Sequence, residues 1–155
     1  MKKFFSVPVV KDGLALVIGL SLILTIIGCA HLSPGADPLV VRAEKLQVAG
    51  QGTLDMVVHV EASAPAFWKT NVPGFYNFAE WLKAPQVVTA TNTTITLPRG
   101  LALFWSLDQT KLAYKSGGGS SNVLQAAVES VSAAVSQAET WLANASVTNA
   151  LKTLH

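Results

Sequence analysis

The chain has 155 residues, half of them hydrophobic and 13% charged, with a formal net charge of +2. Both the apolar excess and the positive charge are local: three of the eleven Lys and Arg (Lys2, Lys3, Lys11) and one of the nine Asp and Glu (Asp12) lie in the first 28 residues, leaving eight of each sign in the remainder. That neutral remainder, with no basic stripe, excludes a nucleic-acid binder held by phosphate contacts; the single cysteine, Cys29, excludes an intramolecular disulfide; and the length leaves room for one domain after a targeting segment.

The N-terminus opens on a cationic start, Met1-Lys2-Lys3, and continues into an almost unbroken apolar run from Leu14 to Ile27. As a helix, about 14 residues at about 1.5 Å each reach about 21 Å, short of a hydrocarbon core of about 30 Å. A span would have to recruit Val7 to Val10, and Lys11 and Asp12 interrupt that extension. A secretory signal ending at Gly28 fits the length better.

The closing residues Thr25-Ile26-Ile27-Gly28-Cys29 resemble the lipobox of bacterial lipoproteins, in which an aliphatic, a variable and a small residue precede an invariant cysteine. Ile27 departs from the pattern, which more often has a smaller residue there. The resemblance covers residues 1–29. It implies removal of residues 1–28 as a signal peptide, a diacylglyceryl group on the Cys29 sulfur, and attachment to a membrane of the cell envelope. Each buried methylene contributes about 0.8 kcal/mol, so two or three chains on one residue hold firmly where one does not. Ala30, not Asp, follows the cysteine; in a diderm host the resemblance then implies sorting to the outer membrane, facing the periplasm. An uncleaved single-span anchor is the alternative.

Residues 29–37 read as a tether, with Pro34 and Gly35 breaking any helix. Asp37 suits an N-cap and Pro38 the first helical position, with Leu39, Ala43 and Leu46 following at helical spacing. Gly50 and Gly52 would each cost about 1 kcal/mol inside a helix. Leu54, Met56, Val58 and Val60 alternate as a strand would, whereas Leu54, Val57, Val58 and Glu61 continue a helix. We favour one long helix, irregular at the glycines, ending before Pro65. Pro73 opens a second helix through Lys83, with Phe75, Phe78 and Leu82 on one face, and Pro85 stops it. Residues 86–97 are rich in Val and Thr, which suits extended structure or a hairpin turning near Asn92. Pro98 introduces a helix over Arg99 to Lys115. The run Gly117-Gly118-Gly119-Ser120-Ser121 reads as a flexible linker; no Lys-Ser or Lys-Thr follows to make it a phosphate loop. Asn122 is a candidate cap for a helix whose stripe is Leu124, Val128, Val131, Val135, Ala138 and Leu142. A last turn or helix covers Ser146 to Leu154.

No catalytic, metal or cofactor constellation emerges. His31, His59 and His155 are scattered without a partner at ligand spacing, and no nucleophile elbow is present. His59 reads as a partly buried, hydrogen-bonded residue. Asp108 falls among Leu101, Phe104, Trp105 and Leu112 on the apolar side of its helix. A buried carboxylate needs a partner, and Lys111 or Lys115 on the same helix, or Arg42 or Lys45 from another, could form a structural ion pair with it. Half of the twelve aromatics lie between Phe67 and Trp81. Most belong in a core, but adjacent ones cannot all face inward, so Phe67, Trp68, Tyr76 and Trp81 are candidates for a partner surface. Asn92-Thr93-Thr94 and Asn144-Ala145-Ser146 match a glycosylation pattern, which has little force in a bacterial chain.

The expected architecture is therefore mostly α: after the N-terminal signal or anchor helix, a single domain over 38–155 forms a small bundle of three to four main helices with a short extended segment near 86–97. The expected function is that of a non-catalytic, lipid-anchored envelope protein serving a protein partner. A module holding a small apolar ligand between helices is a competing expectation.

Overall fold

The computed structural model describes residues 37–90 and 93–154. These form six helices and one hairpin: α1 (Pro38–Ser63), α2 (Pro65–Asn71), α3 (Pro73–Lys83), β1 (Pro85–Ala90), β2 (Thr93–Pro98), α4 (Arg99–Lys115), α5 (Ser121–Leu142) and α6 (Ala145–Thr153). The fold is mostly α, as the hydrophobic periods require. Residues 1–28 and Cys29, the signal-peptide and lipidation expectations, lie outside the described residues.

Proline sets five of the boundaries. Pro38, Pro65 and Pro73 stand in the first turns of α1, α2 and α3, where a missing N–H costs nothing. Asp37 caps α1, its Oδ1 accepting from Leu39 N–H at 2.8 Å. Pro85 and Pro98 close the open end of the hairpin, which runs antiparallel in unbroken register from Pro85↔Pro98 to Ala90↔Thr93.

The ambiguous segment is helical. Thr53, Leu54, Val57 and Glu61 are buried, the spacing of a helix face and not of a pleat. Nor do the glycines break α1. A Cβ built on Gly50 would lie 2.7 Å from Val135 Cγ2 and 3.2 Å from Phe104 Cζ, so the bare backbone is what lets α1 press against α5 and α4. Tertiary packing there outweighs a propensity cost of about 1 kcal/mol.

Helices α1, α4 and α5 form the central bundle. The sequence stripe on α5 is the one that packs: Leu124, Val128, Val131, Val135 and Ala138 are buried. Helix α3 lies against α1 through Phe75, Phe78 and Leu82, and α6 closes on α5 through Val147 and Ala150. Two boundaries differ from expectation. Ser120 caps α5, accepting from Val123 N–H at 3.3 Å, two residues ahead of Asn122. Asn144 caps α6, accepting from Ser146 N–H at 2.8 Å.

The glycine run is a helix stop, not a slack linker. Gly118 N–H and Gly119 N–H both donate to Ala113 O, at 3.0 and 2.9 Å, and Gly117 takes φ 79°. With Gly117 N–H donating to Tyr114 O at 3.1 Å, these bonds satisfy two carbonyls that the end of α4 would otherwise leave open. Glycine serves geometry here, because a side chain at positive φ is strained.

Candidate functional site

Apart from an exposed pair between Lys115 Nζ of α4 and Glu44 Oε1 of α1 at 3.4 Å, the contacts between polar side chains of different helices fall into three groups. At the end where the described chain begins, Tyr114 on α4 donates its hydroxyl to Asp37 Oδ2 at 2.6 Å. The Asp37 carboxylate thus caps α1 and ties it to α4 at once. The Tyr114 hydroxyl, and after it the Leu39 amide, hold the Asp37 pKa below its usual value; in return Asp37 raises that of Tyr114.

The second group contains the pair expected from sequence. Lys111 Nζ lies 3.2 Å from Asp108 Oδ1, one turn along α4. Its interhelical partner is Gln47 of α1, not Arg42 or Lys45: Gln47 Nε2 donates to Asp108 Oδ1 at 3.0 Å, and Lys111 Nζ donates to Gln47 Oε1. The neutral Gln47 amide closes a ring of three groups across the α1–α4 seam. It is also the main reason that Asp108 titrates below its ordinary range, with Lys111 adding to it against partial burial. The expected depth was wrong. The Asp108 side chain is 42% exposed, because the buried face of α4 is Ala102, Phe104 and Leu107, while Leu101 and Leu112 are exposed. Apolar residues surround α4 on most sides, so its sequence does not select one face.

The third group was not anticipated. Glu61, fully buried near the end of α1, accepts from Lys83 Nζ of α3 at 2.6 Å, and Glu80 holds the same ammonium group from the exposed side. Glu61 Oε1 has no hydrogen-bond partner among the described residues. The Lys83 pKa is raised, first by Glu61 and then by Glu80. The only sequence signal was that Glu61 continues the stripe of Leu54 and Val57. Nothing in the chain pairs positions 22 apart until α2 turns α3 back along α1.

The aromatic candidates separate. Trp68 is fully buried and donates Nε1–H to Val60 O at 2.9 Å, with its ring edge-on to Phe67 and Phe75. It is core and is withdrawn from the partner surface: the sharp turn at Ala64 swings α2 back over α1 and carries its indole inward. Phe67 and Tyr76 are half-buried, and Lys69 lies over the Tyr76 ring. Trp81 remains 39% exposed, stacked on Phe78, with the Arg99 guanidinium 5.0 Å from its ring centre.

His59 is exposed, not partly buried. It stands with Gly52, Asp55, Met56, Val58 and Ala62 along an open groove on the outer side of α1. Among the described residues, no three His, Cys, Asp or Glu side chains converge as metal ligands, and no helix is long and apolar enough to cross a membrane. No family model, curated protein or solved structure matches the chain.

Proposed function

We propose that this chain is a lipid-anchored protein of the bacterial cell envelope, without catalysis of its own, whose helical body serves a protein partner. The observation that carries the reading is the N-terminal order of Met1-Lys2-Lys3, the apolar run Leu14–Ile27, and Gly28-Cys29. A short apolar segment of this kind closed by a small residue and cysteine suits processing at Cys29 better than permanent insertion.

Two features of the body support the rest. The polar groups it draws together are spent on joining helices: Asp37–Tyr114, Gln47–Asp108–Lys111 and Glu61–Lys83 each connect α1 to a neighbour. At the start of α4, the exposed Trp81 lies under Arg99, and Trp and Arg are the side chains most often found at the energetic centre of protein interfaces. Phe67 and Tyr76 present less area.

Intact mass of the membrane-extracted protein tests the anchor, with the natural chain compared against Cys29→Ser. The reading expects loss of residues 1–28 plus an acyl mass, both abolished by the substitution. A full-length, unmodified mass in both samples would overturn lipidation in favour of a single-span anchor.

A further inference from the structure

The proposed anchor puts a membrane beside the body, and chain length fixes which part of the body lies nearest to it. Seven residues separate Cys29 from Asp37. Fully extended, those eight steps reach at most about 29 Å, while the 26 residues of α1 run about 39 Å. Lipid on Cys29 therefore holds the start of α1 close to the bilayer and leaves its far end free. Helix α4 returns to the held end: Tyr114 donates to Asp37, and Lys115 reaches Glu44.

Among the described residues, six large hydrophobic side chains are exposed: Val48, Trp81, Val87, Leu101, Leu112 and Val123. Trp81 and Val87 belong to the far end, where Lys83 meets Glu61 and the hairpin follows α3. Val48 and Leu112 flank the α1–α4 seam on one outer side, in the held half. Gln47 lies in the seam, bonded to Asp108 and Lys111, and Val48 follows it by about 100° around α1. On α4, Leu101, Trp105 and Leu112 fall within about 40° of one another, on the side of Asp108 away from the buried Phe104 and Leu107.

Charge suits the same side. Glu44 and Asp108 each meet a lysine, so neither leaves a bare anion there. Lys45, one turn before Val48, is exposed and forms no ion pair among the described residues. The end of the bundle is a poorer surface, because residues 116–122 are all Ser, Gly or Asn before Val123 is reached.

Given the lipid anchor proposed above, we infer that this outer α1–α4 face lies on the bilayer surface. Val48 and Leu112 enter the interfacial layer, Trp105 sits at its edge, and Lys45 extends to lipid phosphate with its apolar stem along the membrane. A bilayer is favoured over a protein as the occupant of this face because the tether keeps it within reach at all times, an effective concentration that a free partner lacks. Trp81 and Arg99, at the far end, stay available to a protein.

The test uses the chain purified from membranes with Cys29 in place and one added cysteine, Val48→Cys, Leu112→Cys, Val123→Cys or Val87→Cys. Each is labelled with an NBD fluorophore and reconstituted in phosphatidylcholine–phosphatidylglycerol vesicles, with and without phosphatidylcholine carrying an acyl-chain nitroxide. An acylated Cys29 has no free thiol, so the natural chain takes up no probe and is the blank. Quenching is expected to be several-fold greater at positions 48 and 112 than at 87, with 123 between. Adding Leu112→Glu to Val48→Cys should bring position 48 down toward the level of 87; far-UV circular dichroism checks that the fold survives. Equal quenching at all four positions, strongest quenching at 123 (an end-on body) or none anywhere (a face left for a protein) would overturn the proposal. Intact mass decides the anchor separately. Should it show an unprocessed chain, the same positions are labelled in Cys29→Ser, so that a failed anchor and a failed face are told apart.

Discussion

Gly50 and Gly52 lie two residues apart in α1, and alanine should act on them in opposite directions. At an interior helical position alanine is favoured over glycine by about 1 kcal/mol, from backbone entropy. Gly52 is exposed, and a Cβ there meets nothing within 4 Å among the described residues. Gly52→Ala should therefore stabilise by close to the full about 1 kcal/mol, which for a body of this size raises Tm by about 4 °C. At Gly50 the same gain is opposed by a contact of 2.7 Å with Val135 Cγ2 and another of 3.2 Å with Phe104 Cζ. Overpacking of a tight core costs about 1–3 kcal/mol, so Gly50→Ala should leave the protein unchanged to about 2 kcal/mol less stable. Urea or thermal unfolding of the full chain in mild detergent, followed by far-UV circular dichroism, measures both. Val135→Ala removes the offending methyl, so the double substitution should cost less than the two single ones added together. Equal stabilisation by both alanines, or additivity with Val135→Ala, would refute the close approach of α1 to α5.

Three further predictions concern the polar clasps and the α4–α5 turn. Lys83→Met leaves the buried Glu61 charge unpaired and should cost about 2–3 kcal/mol, somewhat less than for a fully enclosed pair because Lys83 is itself partly exposed; Glu61→Gln, which leaves Lys83 with Glu80, should cost about 1 kcal/mol, and chemical denaturation ranks the two. Since Lys83 is held above its ordinary value of 10.5, its contribution is complete below that pH and is lost as the pH rises through the raised value; the natural chain should lose Tm there more steeply than Lys83→Met. Tyr114→Phe should return the Asp37 carboxyl toward 3.8 in an NMR titration. The same contact makes a contribution that is present above 3.8 and lost as pH falls through the lowered value, and Asp37→Asn should bring the Tyr114 phenol back toward 10.0 by ultraviolet titration. Gly117→Ala forces a side chain into φ 79° and should cost about 1–2 kcal/mol with little change in helix content.

Local rules carried much of the fold. Asp37-Pro38, Pro73, Pro85 and Pro98 each mark a boundary by steric and capping effects that act within one or two residues, and the Leu/Val/Ala stripe of α5 repeats at the period of the face it buries. The Val- and Thr-rich run between Pro85 and Pro98 paired as a hairpin for the same local reason. Patterns that depend on a neighbour were read less well. Gly-Gly-Gly looks like slack by composition, yet Gly118 and Gly119 are held on Ala113 O. Ser120 and Asn122 are equally good caps until the direction of the chain leaving the turn selects one.

By itself, then, the sequence determined the helical class, most element boundaries and the N-terminal resemblance that centres on Cys29, because period, proline, capping and apolar length all act along the chain. Only the tertiary structure decided which groups meet. It buried Trp68 and exposed Trp81, gave Asp108 a neutral partner in Gln47, pressed Gly50 against Val135, and enclosed Glu61 with Lys83. Each of these depends on the angle and depth at which two helices cross, which side chains on both determine together and neither segment encodes alone.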